Sequence, residues 1–152
     1  TICMWLKPLE LNGWTSVFYA RYSNGYSTLI PCTVGRYGVY RVYQDDFVND
    51  YRDIPVRMIQ RNQWSFLCVS YDATSGVGRL YLNGLLAGVT EEITRLPACR
   101  QILLGGDPFQ QPFRGYVSGL IFCDSAMTEQ EIQELYRDFC RDSGFAGVKE
   151  EF

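Results

Sequence analysis

At 152 residues the chain fits one domain around one core, and its 47% hydrophobic content excludes an intrinsically disordered segment. The net charge of -3 argues against a nucleic-acid binder, which would carry a clear basic excess. With no His, the chain lacks the commonest general base and the commonest metal ligand.

The elements follow in chain order. Residues 1–7 (TICMWLK) carry apolar side chains on both faces, as a strand buried on both sides does. Pro8 closes it, and Asn12-Gly13 marks a turn. Residues 15–20 (TSVFYA), 26–32 and 37–44 (YGVYRVYQ) predict three further strands, with Asn24-Gly25 as a turn between the first two. Residues 45–53 (DDFVNDYRD) read as a polar loop, and 54–59 as an edge strand, since Pro55 cannot donate to a ladder.

Residues 63–72 (QWSFLCVSYD) give the strongest strand pattern. Trp64, Phe66, Cys68 and Ser70 point one way, and Leu67, Val69 and Tyr71 the other. Residues 79–82 and 85–89 form a hairpin across Asn83-Gly84, whose residues accept positive φ cheaply. Residues 101–105 and 114–123 are two more strands around a Gly/Pro-rich loop at 106–112. Thr128-Glu129-Gln130-Glu131 is a capping box, and Ile132, Leu135, Tyr136 and Phe139 then form one apolar helical stripe. From Asp142 the chain reads as a polar tail, so the domain is expected over residues 1–141 with a tail or linker at 142–152. Strands in succession without interleaved helices predict an all-β sandwich with one short C-terminal helix.

Six cysteines (Cys3, Cys32, Cys68, Cys99, Cys123, Cys140) make an even count with no C-x-x-C pair. Without His or close Cys pairs a zinc site is disfavoured, and three disulfides formed in an oxidising compartment are expected. No apolar run approaches the length of about 18 residues needed to span a bilayer, so no membrane insertion by this segment is expected. Thr1 opens directly on strand-like residues, which reads as a processed or excised piece of a longer chain.

Residues 64–84 (WSFLCVSYDATSGVGRLYLNG) resemble a signature of laminin-G-like and pentraxin domains, of the concanavalin A-like lectin type. Leu103-Leu104-Gly105, Phe113-Arg114-Gly115 and residues 127–136 (MTEQEIQELY) are similar to the next block of that family. Thr1-Ile2-Cys3 and residues 16–20 (SVFYA) resemble its opening strands, so the likeness runs in order over roughly residues 1–139. The resemblance implies a jelly-roll sandwich of two antiparallel sheets and a Cys3–Cys68 disulfide. Of the three ways to pair the other four cysteines, Cys32–Cys99 and Cys123–Cys140 are favoured. Family members carry one or two strands before the Thr1-Ile2-Cys3 strand, and their absence here would leave an open sheet edge.

Candidate sites follow from residue chemistry. Hard cations need several convergent oxygens. The positions matching the pentraxin calcium ligands hold only Asn24, Asp107, Gln110 and Gln111, so Ca²⁺ is an optional ligand and no cofactor is required. The acid pairs Asp45-Asp46, Glu91-Glu92 and Glu150-Glu151 are adjacent residues, whose side chains point apart on extended chain, and no alternating acid strand of the glycoside-hydrolase kind occurs. With no His to activate Ser or Cys, the chain reads as non-enzymatic.

Tyr40, Arg41, Tyr43, Tyr51 and Arg52 stand out as partner-binding candidates within a Tyr/Arg-rich stretch that also includes Arg36, because Tyr and Arg are enriched at binding hot spots. The expected function is extracellular adhesion or recognition of a protein or glycan. The alternatives are a building block of an extracellular fibre or oligomer and, last, a concanavalin-like glycoside hydrolase.

Overall fold

The computed structural model describes residues 1–33, 37–45, 50–57, 59–94 and 96–142. Arg36, Asp46, Glu150, Glu151 and the tail from residue 143 lie outside them. Two five-stranded antiparallel sheets face each other, and one helix lies outside. The first sheet runs β12 (Gly115–Phe122), β1 (Ile2–Pro8), β7 (Ser65–Asp72), β8 (Val77–Leu82), β9 (Leu85–Thr90). The second runs β10 (Cys99–Leu104), β3 (Phe18–Tyr22), β4 (Tyr26–Ile30), β5 (Tyr37–Tyr43), β6 (Tyr51–Arg57). A short parallel pair joins β2 (Thr15–Ser16), within the strand predicted at 15–20, to β11 (Gln111–Pro112), which falls in the predicted loop because a two-residue strand carries no periodicity.

Period-2 alternation divides each central strand between two environments. From β7, Leu67 and Val69 join Met4, Leu6, Phe18, Leu29, Ile54 and Leu80 in the core between the sheets. Phe66 and Cys68 face the other way, into a second cluster with Cys3, Trp5 and Tyr81. Helix α1 (Glu129–Asp142) covers that cluster with Ile132 and Tyr136, and Trp5 stacks on Tyr136 at 5.7 Å between centroids. The capping box forms as expected: Thr128 N donates to Glu131 Oε2 at 2.7 Å, and Glu131 N donates to Thr128 Oγ1 at 3.3 Å. No helix among the described residues is long and apolar enough to cross a membrane.

Cys3 and Cys68 are directly opposed in the β1–β7 register and form a disulfide beneath the helix. The other two expected bridges are not formed, and geometry explains both. Cys32 sits beside Trp14 at one end of the second sheet, where Trp14 N donates to its carbonyl, while Cys99 pairs with Tyr22 at the other end. Eight residues of near-extended chain separate those ends, roughly 20–25 Å, and a disulfide needs Cα atoms within about 7 Å. Cys123 N bonds to Thr1 O, and Thr1 also anchors the start of the helix through its hydroxyl to Met127 N. Cys140 lies more than two turns along that helix, roughly 16 Å away. The thiols find local acceptors instead: Cys32 donates to Thr33 O, Cys99 to Gln101 O, and Cys123 shares a hydrogen bond with Ser125 Oγ.

The predicted loop at 45–53 ends early. β6 already begins at Tyr51 and pairs with β5 through Tyr43↔Tyr51, Arg41↔Asp53 and Tyr37↔Arg57. This shift places Tyr51 and Asp53 on a sheet face.

Candidate functional site

The outer face of the second sheet collects the most unusual side chains of the molecule. Cross-strand register sets them in two rows. One row is Arg21–Tyr26–Tyr43–Tyr51, and the next is Tyr19–Thr28–Arg41–Asp53. Directly opposed residues on adjacent strands share a face, so each row is a line of neighbours across four strands.

The tyrosines of the first row stack. Ring centroids lie 4.3 Å apart for Tyr26 and Tyr43, and 5.7 Å apart for Tyr43 and Tyr51. Tyr19 and Phe109 flank Tyr26 at 5.4 and 5.1 Å. The middle of the stack is closed, with Tyr43 only 6% exposed, whereas Tyr51 is 40% and Phe109 64% exposed. Burial and the neighbouring Tyr43 raise the pKa of the Tyr26 phenol, so it stays protonated as a donor.

Arg41 is held in the second row from several sides. Its Nε donates to Asp53 Oδ1 at 2.6 Å and its Nη2 to Asp53 Oδ2 at 2.7 Å, a bidentate pair. Its Nη1 donates to Tyr43 OH at 3.3 Å. The guanidinium also sits 4.1 Å from the Tyr51 ring centroid and 5.2 Å from that of Trp14. Those donations, led by Asp53, raise the Arg41 pKa further, so its charge is fixed.

Asp107 positions the loop that brings Phe109 to this face. Its Oδ1 accepts from Phe109 N and Gln110 N, both at 2.7 Å, and its Oδ2 accepts from the Thr28 hydroxyl at 2.8 Å. Both carboxylate oxygens are thus engaged by the protein. Asn24 is exposed in the β3–β4 turn, four residues from Thr28 along the chain and roughly 13 Å away, so the structure does not bring Asn24 to Asp107. Gln110 enters this arrangement through its backbone N–H. No cluster of three or more His, Cys, Asp or Glu side chains able to hold a metal occurs among the described residues.

Of the five residues expected to bind a partner, Arg41, Tyr43 and Tyr51 come together here. Tyr40 is corrected. It points between the sheets, is 5% exposed, and donates its hydroxyl to Ser27 Oγ at 2.8 Å. Arg52 alternates with Tyr51 and Asp53, so its side chain leaves the opposite face of β6 and bonds Asp50. Trp14, Tyr19, Tyr26, Asp53 and Phe109 were not expected at the site. Tyr26 and Thr28, like Arg41 and Tyr43, alternate within their own strands, but only the register between strands aligns them.

A search of curated proteins finds no match. Among solved structures, domain 4 of AbnA, a GH43 extracellular arabinanase from Geobacillus stearothermophilus in complex with arabinotriose, has a TM-score of 0.73 at 22% identity. The match covers 89% of this chain and 65% of that one, so the chain spans just under two thirds of that domain. The heptameric SAP-like pentraxin of Limulus polyphemus has a TM-score of 0.70 at 15% identity, covering 89% and 68%. The CBM40 of Ruminococcus gnavus IT-sialidase has a TM-score of 0.72 at 13% identity, covering 89% and 80%. At these identities the likeness establishes a shared sandwich. A family model described as the concanavalin A-like lectin/glucanases superfamily, of the Laminin_G_3 type, matches residues 1–133, and the chain belongs to that family.

Proposed function

We propose that the chain is an extracellular, non-catalytic recognition domain that binds an oligosaccharide on the outer face of its second sheet. The observation that carries this reading is the tyrosine row, closed in its middle and exposed at Tyr51 and Phe109. Apolar ring faces can lie against the C–H faces of sugar rings, while the Asp53 carboxylate, held by Arg41 and partly exposed, offers an acceptor to hydroxyls. Rings and ion pair are set by strand register before a ligand arrives, which lowers the entropic cost of binding. Two of the similar structures support the choice of ligand class, since one is described in complex with arabinotriose and another form of the CBM40 is bound to α2,3-sialyllactose. The Cys3–Cys68 bridge supports an oxidising location.

Binding of neutral and sialylated oligosaccharides, measured on an array and then by calorimetry, tests the proposal. Tyr51→Ala and Phe109→Ala should each weaken the best ligand about 10-fold, the scale of one lost aromatic contact. Chelation with EDTA should leave affinity unchanged, because the Asp107 oxygens already serve Thr28 and the loop. If the folded domain bound no glycan, or both variants bound as tightly as the wild type, the proposal would fail.

A further inference from the structure

The tyrosine face ends differently at its two sides. Tyr51 lies on β6, the last strand of its sheet. There the sandwich closes: a Cβ on Gly88 of β9 would lie 2.0 Å from Pro55 O. At the other side the row of rings runs through Tyr26 onto Phe109, in the loop that leads to β11. Gln111 follows Phe109 by two residues and pairs with Thr15. Directly before Thr15 stands Trp14, whose indole lies beside Arg41.

Trp14 holds a left-handed backbone, with φ at 61°. Bulky side chains rarely adopt that conformation, and such strain gathers at binding sites. Two hydrogen bonds hold it there. Trp14 N donates to Cys32 O at 2.9 Å, and Gln111 N donates to Trp14 O at 3.2 Å. The second bond ties β11 to the same corner.

Beyond this corner opens a polar pocket of about 300 Å³, lined by Glu10, Asn12, Thr15, Gln111, Pro112 and Arg114. Its groups satisfy one another only in part. Glu10 accepts from Arg114 Nη1 at 3.1 Å and from Asn12 Nδ2 at 3.3 Å, and the Thr15 hydroxyl donates to Asn12 O at 2.9 Å. Asn12 Oδ1, the Gln111 side-chain amide and Arg114 Nη2 have no partner among the described residues. Donors and acceptors thus share one space. A simple anion would meet the Glu10 carboxylate, and a simple cation the Arg114 guanidinium. Neutral hydroxyls, each donor and acceptor at once, suit every group. Pro112 adds an apolar ring for a C–H face.

We infer that this pocket is a second subsite for the oligosaccharide of the tyrosine face, holding a further sugar by its hydroxyls once the ligand has passed Phe109. The inference rests on that reading and adds a ligand class: a linear, neutral oligosaccharide long enough to run from Tyr51 to Gln111. The ring-to-ring steps from Tyr51 to Phe109 measure 5.7, 4.3 and 5.1 Å. Each is comparable to the advance of one sugar along a chain, so a disaccharide stays on the rings and only longer chains reach the pocket.

Titration of ¹⁵N-labelled residues 1–152 with linear arabino-, xylo-, cello- and manno-oligosaccharides of two to six sugars tests it. In the series that binds, the side-chain amide signals of Asn12 and Gln111 should shift with the longer members and stay still with the disaccharide. Affinity should rise about 10-fold from the disaccharide to the longest member, the scale of two net hydrogen bonds. Asn12→Ala combined with Gln111→Ala should abolish that rise, with circular dichroism confirming the fold. A series that shifts the Tyr51 and Phe109 signals but never those of Asn12 and Gln111 overturns the inference and leaves the tyrosine-face reading standing. So does a double variant that keeps the full rise. Binding confined to sialylated glycans overturns the neutral ligand class alone, whereas binding of no oligosaccharide at all removes both readings.

Discussion

Arg41 is 88% shielded at its side chain and gives two short hydrogen bonds to one carboxylate, with Trp14, Tyr43 and Tyr51 around the guanidinium. Removing Asp53 would strand that cation among rings. Asp53→Ala is therefore expected to lower stability by about 1.5–3 kcal/mol, the range for hydrogen bonds to charged groups, read from the shift in urea midpoint. Sequence alone picked out Arg41, Tyr43 and Tyr51, because Tyr and Arg clustered there. It missed Asp53, which reads as a loop acid until β5–β6 register sets it opposite Arg41. Tyr40 fell on the wrong side for a related reason. Composition marks a tyrosine as interesting, and only strand alternation tells whether it faces solvent or Ser27.

Helix α1 was the most legible element, since its start rests on local chemistry. The Thr128–Glu131 box needs four consecutive residues, and its stripe of Ile132, Leu135, Tyr136 and Phe139 needs only helical spacing. Thr128→Ala removes the hydroxyl that caps Glu131 N and is expected to cost about 1 kcal/mol in thermal or chemical denaturation. The cap also carries a pH signature. Hydrogen bonds from Thr128, the backbone N–H first, hold the Glu131 carboxyl below its ordinary pKa. Its contribution is therefore complete above the unfolded carboxylate pKa and fades as pH falls through the lower folded one. The β7 alternation was equally legible, with Phe66 and Cys68 under the helix and Leu67 and Val69 between the sheets. β6 and the β2–β11 pair were not, because their bounds are set by partners remote in sequence.

At the scale of the whole molecule one covalent link spans the fold. The Cys3–Cys68 bridge closes a loop with a sequence separation of 65, tying the first strand to the centre of its sheet. Reduction of this bridge should lower unfolding free energy by about 4 kcal/mol in the chain-entropy treatment, measured by denaturation with and without reductant. The pairing was legible through family likeness, whereas the proposed partners of Cys32 and Cys123 demanded knowledge of which sheet ends and helix turns lie near each other. The two-sheet architecture itself showed in the sequence as a run of short alternating strands, but the order of strands within each sheet did not.

The tight seam of Gly88 against Pro55 has a further consequence. A methyl group on Gly88 would meet Pro55 O at 2.0 Å and wedge β9 away from β6, so a substitution on one sheet would reach Tyr51 and Asp53 on the other through the backbone alone.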